Sequence, residues 1–269
     1  MSDLPCEILD HIVDLLHDSQ TPLRNCCLIS KSWIPRARAH LFAELNFRNA
    51  ESLELWKKTF PDPLTSPTRY AKTLFVHRPQ VVVAADGEAG CWVGAFPRVV
   101  CLVVVASCGN HRFARGWGDT FALFHGISPI VKSLRVSSIM FPSSRLFDLI
   151  LSFPLLEDLS VADCYHFPLE SGGGSDGLST LAQSSSLPVF SGSLELDMAR
   201  RGGMMGPIAR RLLSLSGSMQ FRKFTLKSPC EEDISLMMAL VERCSHTLES
   251  LDITHNNSGM FVAPPFAQK

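Results

Sequence analysis

Residues 156–164 read LEDLSVADC and residues 248–256 read LESLDITHN. Each stretch has apolar residues at its first, fourth and sixth positions and ends in Cys or Asn. Alternation at the fourth and sixth positions is typical of a strand with one buried face. The pattern therefore predicts two short, half-buried strands that occupy equivalent places in the fold.

The same pattern recurs in weaker form along the chain. Copies of its apolar core begin at Val99, Val131 and Phe221, and segments at Leu74 and Leu194 keep only the second half. The central apolar positions are residues 74, 102, 134, 159, 194, 224 and 251, at intervals of 25 to 35 residues. A repeat of this length indicates stacked units that share one continuous core.

Segments with helical spacing lie between the predicted strands. In the clearest, Ile234, Met237, Met238 and Val241 form an apolar stripe. Strand and helix in alternation predict the α/β class, and the competing interpretation is an ordinary α/β or α+β domain whose strands happen to contain leucine. The predicted helices cover Phe121 to Val131, Ser144 to Phe153, Pro207 to Leu215 and Asp233 to Cys244.

These units resemble leucine-rich repeats, whose template has the same apolar spacing and closes on Asn or Cys. The resemblance implies an irregular leucine-rich-repeat-like α/β solenoid over residues 70–269. A Gly/Ser-rich insertion is predicted at residues 171–193, where the composition is that of a linker. Residues 255–269, HNNSGMFVAPPFAQK, are expected either to fold back as an irregular cap or to end a shortened array.

Residues 4–42 read LPCEILDHIVDLLHDSQTPLRNCCLISKSWIPRARAHLF. The apolar residues of its first predicted helix cover about half of the circumference, which is more than one packing contact needs. One apolar face is then left for a partner, although a small bundle packed on its own chain is the competing interpretation. Thr21 with Pro22, and Ser30 or Ser32, are predicted to begin the second and third helices, with Pro35 in the first turn of the third.

This N-terminal stretch resembles an F-box, and together with the repeats it is similar to F-box proteins of the fungal type. One position departs from the family pattern, because Ile29 and Ser30 precede Lys31 where the family usually has Val followed by Cys or Ser. The resemblance implies a Skp-type adaptor as partner, and through it a cullin and a RING protein of a ubiquitin ligase. The residues that carry it are Leu4-Pro5, Glu7-Ile8-Leu9, Ile12, Leu15-Leu16, Leu23, Leu28, Ser30 to Trp33 and Leu41-Phe42.

The F-box resemblance also implies which residues contact the adaptor. The Leu-Pro pair and the apolar residues of the first helix contact it in that family, and Leu23, Leu28 and Trp33 are expected in a second patch or in the framework. Trp33 fits the core of a three-helix unit about as well as a partner contact. The implied first-helix contacts are Leu4, Pro5, Ile8, Leu9 and Ile12.

The expected organisation is an F-box at 1–48, a connector helix and Pro-rich linker at 49–69, and the repeat region at 70–269. The expected function is that of a substrate-recognition subunit of a Skp-cullin-F-box ubiquitin ligase complex, whose repeat region binds a target protein. The alternative is a non-catalytic repeat scaffold or binding protein whose F-box-like helices only cap the solenoid. Ile8, Leu9 and Ile12 would then be buried, so their exposure separates the two hypotheses.

Composition and motifs argue against other function classes. The net charge of −1 and the pI of about 6.7 give no overall field that favours nucleic acid or an anionic membrane. The longest apolar run, Val99 to Ala106, is too short to span a bilayer, and nine cysteines without a secretion signal favour the cytoplasm or nucleus.

No phosphate-binding loop, nucleophile elbow or paired zinc-ligand spacing is present in the sequence. We therefore expect no enzyme activity, no cofactor and no metal. Cys164 and Cys244 stand near His166 and His246, but both thiols are expected in the core rather than on a metal.

Overall fold

The fold alternates helices and strands along most of the chain. The computed structural model describes residues 5–62, 65–77, 96–105, 130–141, 143–166, 188–197, 205–215, 219–227, 229 and 231–254. The helices are α1 (Cys6–Asp14), α2 (Gln20–Ile29), α3 (Ile34–Leu41), α4 (Ala50–Thr59), α5 (Ser143–Leu151), α6 (Met205–Ser214) and α7 (Glu231–Arg243), with a 3-10 helix at Pro67–Tyr70. The strands are β1 (Glu44–Phe47), β2 (Thr73–His77), β3 (Cys101–Val105), β4 (Ser133–Ser137), β5 (Met140–Phe141), β6 (Asp158–Ala162), β7 (Tyr165–His166), β8 (Ser193–Asp197), β9 (Lys223–Lys227) and β10 (Ser250–Thr254).

Eight strands form one parallel sheet, in which the strand order β1-β2-β3-β4-β6-β8-β9-β10 follows the order of the chain. β5 and β7 form a separate parallel pair. The predicted α/β class is confirmed. The seven central positions predicted from the sequence lie in one row across the sheet: Leu74, Leu102, Leu134, Leu159, Leu194, Phe224 and Leu251.

β1 adds an eighth strand that the sequence analysis did not anticipate. Leu45 pairs with Leu74, so it extends the same row at the N-terminal edge. The signal was present, because Phe42, Leu45 and Phe47 have the apolar spacing of the other units. The predicted helical segment at 1–48 therefore contains three helices and a strand.

Burial across the sheet follows the alternation of side chains along each strand. In the six internal strands from β2 to β9, the second and fourth residues are buried and the others are at least partly exposed. Because successive side chains point to opposite faces, one face of the sheet collects the apolar residues. This face and buried residues of α4, α5, α6 and α7 make one hydrophobic core.

Two units share the same turn after the strand. Ser138 after β4 and Asp163 after β6 have φ values of 57° and 50°, in the left-handed region. The turns return the chain to the core, because Ile139 and Cys164 come next and both are fully buried. The Cys164 thiol lies 3.8 Å from the Val136 carbonyl oxygen, which links two units.

The described helices after β1 agree with their predicted positions. α5, α6 and α7 fall on three of the four predicted segments, whereas residues 121–129 of the fourth lie outside the described residues. The connector helix is α4, and it ends before Pro61. Asn49 caps α4: its side-chain oxygen accepts from the Ser52 amide, and the Ser52 hydroxyl accepts from the Asn49 amide.

Part of the predicted insertion belongs to the core. Residues 171–187 lie outside the described residues, but Phe190 is fully buried and its ring stacks on Phe221 with centroids 5.2 Å apart. The described chain thus returns to the core before residue 193. Cys164 and Cys244 are both buried, so the prediction of core thiols is confirmed.

The three N-terminal helices are present, but two of them begin at other residues than predicted. α2 begins at Gln20 after Ser19, so the predicted cap at Thr21 is wrong and Pro22 is the third helical residue. Proline is tolerated there because the first four amides of a helix have no intrahelical acceptor. α3 begins at Ile34 after Trp33, with Pro35 in its first turn as predicted.

The serines expected to cap α3 form a turn before it instead. Ser30 Oγ accepts from the Ser32 amide at 3.3 Å, and the two hydroxyls are 2.9 Å apart. Short side chains of this type satisfy nearby amides in turns as well as at helix caps. The predicted serine-to-amide hydrogen bond is therefore present, but it lies in the turn before α3 and not at the start of the helix.

Candidate adaptor-binding surface

α1 carries two apolar stripes that have different surroundings. Val13 is fully buried, and Leu9 and Leu16, which share its side of the helix, are half-buried. The second stripe is Ile8, Ile12 and Leu15, which are 47%, 36% and 70% exposed. Its spacing of four and three residues aligns these side chains on one face of the helix. We call these three residues the α1 stripe.

A small core holds the three helices together. Val13, Leu23, Cys26 and Ala37 are buried, and Leu16, Cys27, Trp33 and Leu41 pack against them. This cluster is separate from the core of the sheet among the described residues. It accounts for the inward side of α1 and does not cover the α1 stripe.

A polar contact fixes α1 against α3. Arg36 donates from Nε and Nη2 to the two oxygens of the Asp14 carboxylate at 2.5 and 2.6 Å. Nε2 of His40 lies 2.7 Å from Asp14 Oδ1. Hydrogen bonds from Arg36, and then from His40, hold the pKa of the Asp14 carboxyl well below its ordinary value. The charged Asp14 carboxylate therefore links α1 to α3.

The residues implied as adaptor contacts divide into exposed and buried groups. Pro5, Ile8 and Ile12 are exposed and Leu9 is half-buried, while Leu4 lies outside the described residues. Leu28 is 85% exposed, next to Ile29 at the end of α2. Four of the implied contacts are therefore available on the surface.

Two of the implied residues pack in the small core, one fully buried and one half-buried. Leu23 is 1% exposed in the small core, so of its two expected roles the structure leaves only the framework one. Trp33 is half-buried against the same core. Leu15 and Ile29 were not predicted as contacts, although Leu15 follows Ile8 and Ile12 at helical spacing and carried a readable signal.

The remaining side of the helical unit meets the sheet region. α3 packs near the 3-10 helix, and Phe42, which follows α3, has its ring edge-on to Trp56 and Phe60 of the α4 segment at 5.9 and 6.1 Å between centroids. These contacts join the helices to the sheet through the end of α3. The α1 stripe takes no part in them and stays open to solvent.

The outward face of the sheet is a second candidate surface, and it is apolar on β2 and β3. Phe75 pairs with Val103, and His77 pairs with Val105, in the row that faces away from the core. These side chains are only partly exposed. Phe75 beside Val103 and Val105 makes this end of the outward face apolar, which is typical of surfaces that contact other proteins.

The same face is charged on β8 and β9. Lys227 Nζ lies 2.7 Å from Glu195 Oε1 and 3.7 Å from Asp197 Oδ2, and Ser160 donates to Glu195 Oε2 at 3.1 Å. The hydrogen bond from Lys227, opposed by burial, lowers the pKa of Glu195. The pKa of Lys227 is raised by the same contact. This end is thus polar and internally paired.

No cluster of three or more His, Cys, Asp or Glu side chains with metal-binding geometry occurs in the described part of the chain. None of the described helices combines the length and apolarity needed to cross a bilayer. Comparison with family models, with curated proteins and with solved structures finds no match to this chain.

Proposed function

We propose that this protein is a substrate-recognition subunit of a Skp-cullin-F-box ubiquitin ligase complex. In this proposal the N-terminal helices dock onto a Skp-type adaptor, and the sheet region binds a target protein. The adaptor in turn joins the chain to a cullin and a RING protein. The observation that carries the proposal is the exposed α1 stripe on a helix whose other apolar side is already packed.

The exposure of α1 separates the two hypotheses drawn from the sequence. A helix that only capped the repeat array would bury Ile8 and Ile12, yet both are exposed. Leu9 is half-buried and is compatible with either role. The pattern favours a docking helix over a capping helix, because a cap would have used its most apolar face against the array.

The size of the α1 stripe is adequate for a protein contact. Complete burial of one Ile or Leu side chain is worth roughly 1.5–3 kcal/mol. Covering the exposed parts of Ile8, Ile12 and Leu15 would contribute roughly 3 kcal/mol, which is about a hundredfold in affinity. The exposed Leu28 and Ile29 would extend this surface if the adaptor also reaches α2.

The sheet region supports the second half of the proposal. Its strands follow the chain order in parallel, with equivalent apolar residues in one row, as expected for stacked leucine-rich-repeat-like units. Such arrays present an extended face for protein binding. The apolar end of the outward face, at Phe75 and Val103, is the part we assign to target contact.

We also propose that the protein works in a reducing compartment, the cytoplasm or nucleus. Cys26, Cys164 and Cys244 are buried and form no disulfide. Burial raises the pKa values of Cys26 and Cys244, which keeps both thiols protonated and unreactive. Their role is packing, which fits a reducing compartment.

The test is co-purification of the full chain with a Skp-type adaptor. Wild type is compared with the double variant Ile8→Asp, Ile12→Asp and with Leu55→Asp, an exposed leucine of α4 that serves as a matched control. We expect wild type and the control to bind and the double variant to lose binding while its circular dichroism spectrum is unchanged. Absence of wild-type binding, or equal loss in the control, would contradict the proposal.

A further inference from the structure

The outward face of the sheet changes character along the row nearest the carboxyl ends of the strands. This row contains the last residue of each internal strand, and all of its side chains are partly exposed. From β2 to β9 it consists of His77, Val105, Ser137, Ala162, Asp197 and Lys227. We call it the carboxyl-end row. It runs from an apolar end at β3, across two small residues, to charged residues at β8 and β9.

The apolar end of the carboxyl-end row continues into the neighbouring row. Val105 pairs with His77, and two residues earlier Val103 pairs with Phe75. Because alternate side chains of a strand share a face, all four lie on the same outward surface. Two valines and a phenylalanine suit a large apolar side chain of a partner, since burial of apolar area is the main source of affinity in protein contacts.

The negative charge at β8 is only partly neutralised. Glu195 accepts from Lys227 at 2.7 Å and from Ser160 at 3.1 Å, so both of its oxygens are engaged. Asp197 lies 3.7 Å from the same ammonium, which is longer than a hydrogen bond. Asp163 follows β6, and its amide donates to the Asp197 carbonyl oxygen at 2.8 Å, so a second aspartate lies at this end of the sheet. The charged end therefore carries more negative than positive charge.

The residues between the two ends leave a path for an extended chain. Ser137 and Ala162 have small side chains, so they leave room above the sheet between Val105 and Asp197. Arg135 is exposed on the same strand as Ser137, but it lies in the neighbouring row. A basic partner residue is therefore favoured over Asp197 and disfavoured over the middle of the sheet.

We propose that the outward face binds an extended segment of the target in which a large apolar residue and an arginine or lysine lie about four residues apart. The apolar residue packs on Val105 and Phe75, and the basic residue pairs with Asp197. Three strand spacings of about 4.8 Å separate β3 from β8, and an extended chain advances about 3.3 Å per residue, so the span of about 14 Å corresponds to about four residues. This inference rests on the proposed function, because it names the class of target that the sheet region binds.

The charges of the face favour a basic segment over a phosphorylated one. Arg135 offers an exposed guanidinium to a phosphate. Its charge already acts on Glu195, whose pKa is lowered first by the hydrogen bond from Lys227 and, more weakly, by Arg135. A phosphate on Arg135 would therefore stand near this carboxylate and the aspartates beyond it, and like charges repel.

The test is a methyl NMR titration of the full chain with short peptides in a Gly/Ser background. In the first peptides Phe and Arg lie four residues apart, in either order, and in their matched counterparts Glu replaces Arg. We expect an Arg peptide to shift the methyl signals of Val103, Val105 and Ala162. It should bind about fivefold more tightly than its Glu counterpart, since exposed ion pairs contribute modestly to affinity.

Charge variants then locate the basic residue of the peptide. Asp197→Lys should reverse the preference between the Arg and Glu peptides, and Asp197→Asn should remove it. Glu249→Lys makes the same charge change at an exposed ion pair beside the amino end of β10, and it should leave the preference unchanged. Circular dichroism checks that each variant is folded.

Three results would overturn the inference. They are equal affinities of the Arg and Glu peptides, the same change of preference with Glu249→Lys as with Asp197→Lys, and no shift of the Val105 and Ala162 signals in the titration. A phosphoserine peptide that binds more tightly than the Arg peptides, and is lost with Arg135→Ala, would show the other class of partner. Asp197→Lys should still co-purify with the adaptor, so peptide results that fail beside normal adaptor binding overturn only this inference, whereas absence of wild-type adaptor binding overturns the proposed function.

Discussion

The three N-terminal helices and the sheet region place their apolar residues differently. Among the described residues, the helices bury four apolar side chains in their own cluster but leave Ile8, Ile12, Leu15, Leu28 and Ile29 exposed. In the sheet, neighbouring strands and α4 to α7 bury the inward-facing residues of β1, β2, β3, β4, β6, β8 and β9, whereas Leu251 and Ile253 of β10 are exposed.

This difference bears on which region would gain more from a partner. A cluster of one leucine, one valine, one cysteine and one alanine is a small core for three helices, and its polar support is the exposed contact of Asp14 with Arg36 and His40. The sheet region instead buries its inward-facing rows in one large core, and its outward face is apolar on β2 and β3 and charged on β8 and β9. If the proposed docking occurs, we expect it to stabilise the helices more than the sheet.

The largest expected effect is on the sheet core. Phe224 is fully buried in the central row, and its ring is edge-on to Phe221 at 5.6 Å between centroids. Phe224→Ala should lower the free energy of unfolding by about 3–5 kcal/mol, since it removes apolar contacts and leaves a cavity. Urea unfolding measures it, with the outward-facing Thr225→Ala as control. A loss below about 1 kcal/mol would disprove a continuous core.

The second prediction concerns the small helical core. Leu23→Ala should weaken the packing of the three helices by about 2–4 kcal/mol, because Leu23 is its largest fully buried aliphatic side chain. We expect loss of helical circular dichroism and of adaptor binding at a temperature where the sheet stays folded. Leu28→Ala, on the same helix but exposed, should change stability by less than about 0.5 kcal/mol. Equal destabilisation of the sheet by Leu23→Ala would show that the two regions share one core.

The comparison also explains what the sequence predicts well. Strand positions depend on a local signal, the alternation of inward and outward residues along each strand. For this reason all seven central positions predicted from the sequence lie in one row across the sheet. β1 is not predicted although Leu45 and Phe47 carry the same alternation, because the F-box resemblance assigns residues 1–48 to helices. The register across the sheet then follows from the stacking of equivalent residues.

The candidate surface was less predictable because it depends on contacts distant in sequence. Leu23 and Leu28 are both apolar residues of α2, and the packing of α1 and α3 against one side of α2 buries the first and leaves the second exposed. The contact between Asp14 and Arg36 spans 22 residues and has no local signal. The start of α2 at Gln20 is also not predicted, because Thr followed by Pro at residues 21 and 22 is the usual sequence signal for the cap and first residue of a helix.

A smaller effect is expected from the contact that joins α1 to α3. Asp14→Asn should lower Tm less than Leu23→Ala does, because the contact is exposed to solvent. The pKa of Asp14 is lowered in the folded protein, so its contribution is present above the ordinary pKa of about 3.9 and is lost as pH falls through the folded value. The Tm difference between wild type and variant should therefore shrink in strong acid. A difference that is constant from pH 7 to pH 2 would contradict this contact.

The smallest effect is expected on the outward face. Lys227→Met should cost less than about 1 kcal/mol, since surface ion pairs contribute little and are screened by salt. The pKa of Glu195 is lowered by Lys227, so this contribution is also present above the ordinary glutamate pKa of about 4.3 and lost at lower pH. Urea unfolding at low and high salt measures it, with the exposed Lys223→Met as control. A cost above 2 kcal/mol would mean that the sheet depends on its charges.

Side-chain footprinting by hydroxyl radicals tests the docking of α1 most directly. The full chain is labelled alone and after addition of a Skp-type adaptor, and modification of Ile8, Ile12 and Leu15 is compared with that of Leu55. We predict strong labelling of all four residues in the free chain and protection of only the α1 stripe in the complex. Weak labelling of α1 in the free chain, or no protection by the adaptor, would contradict a docking role for this helix.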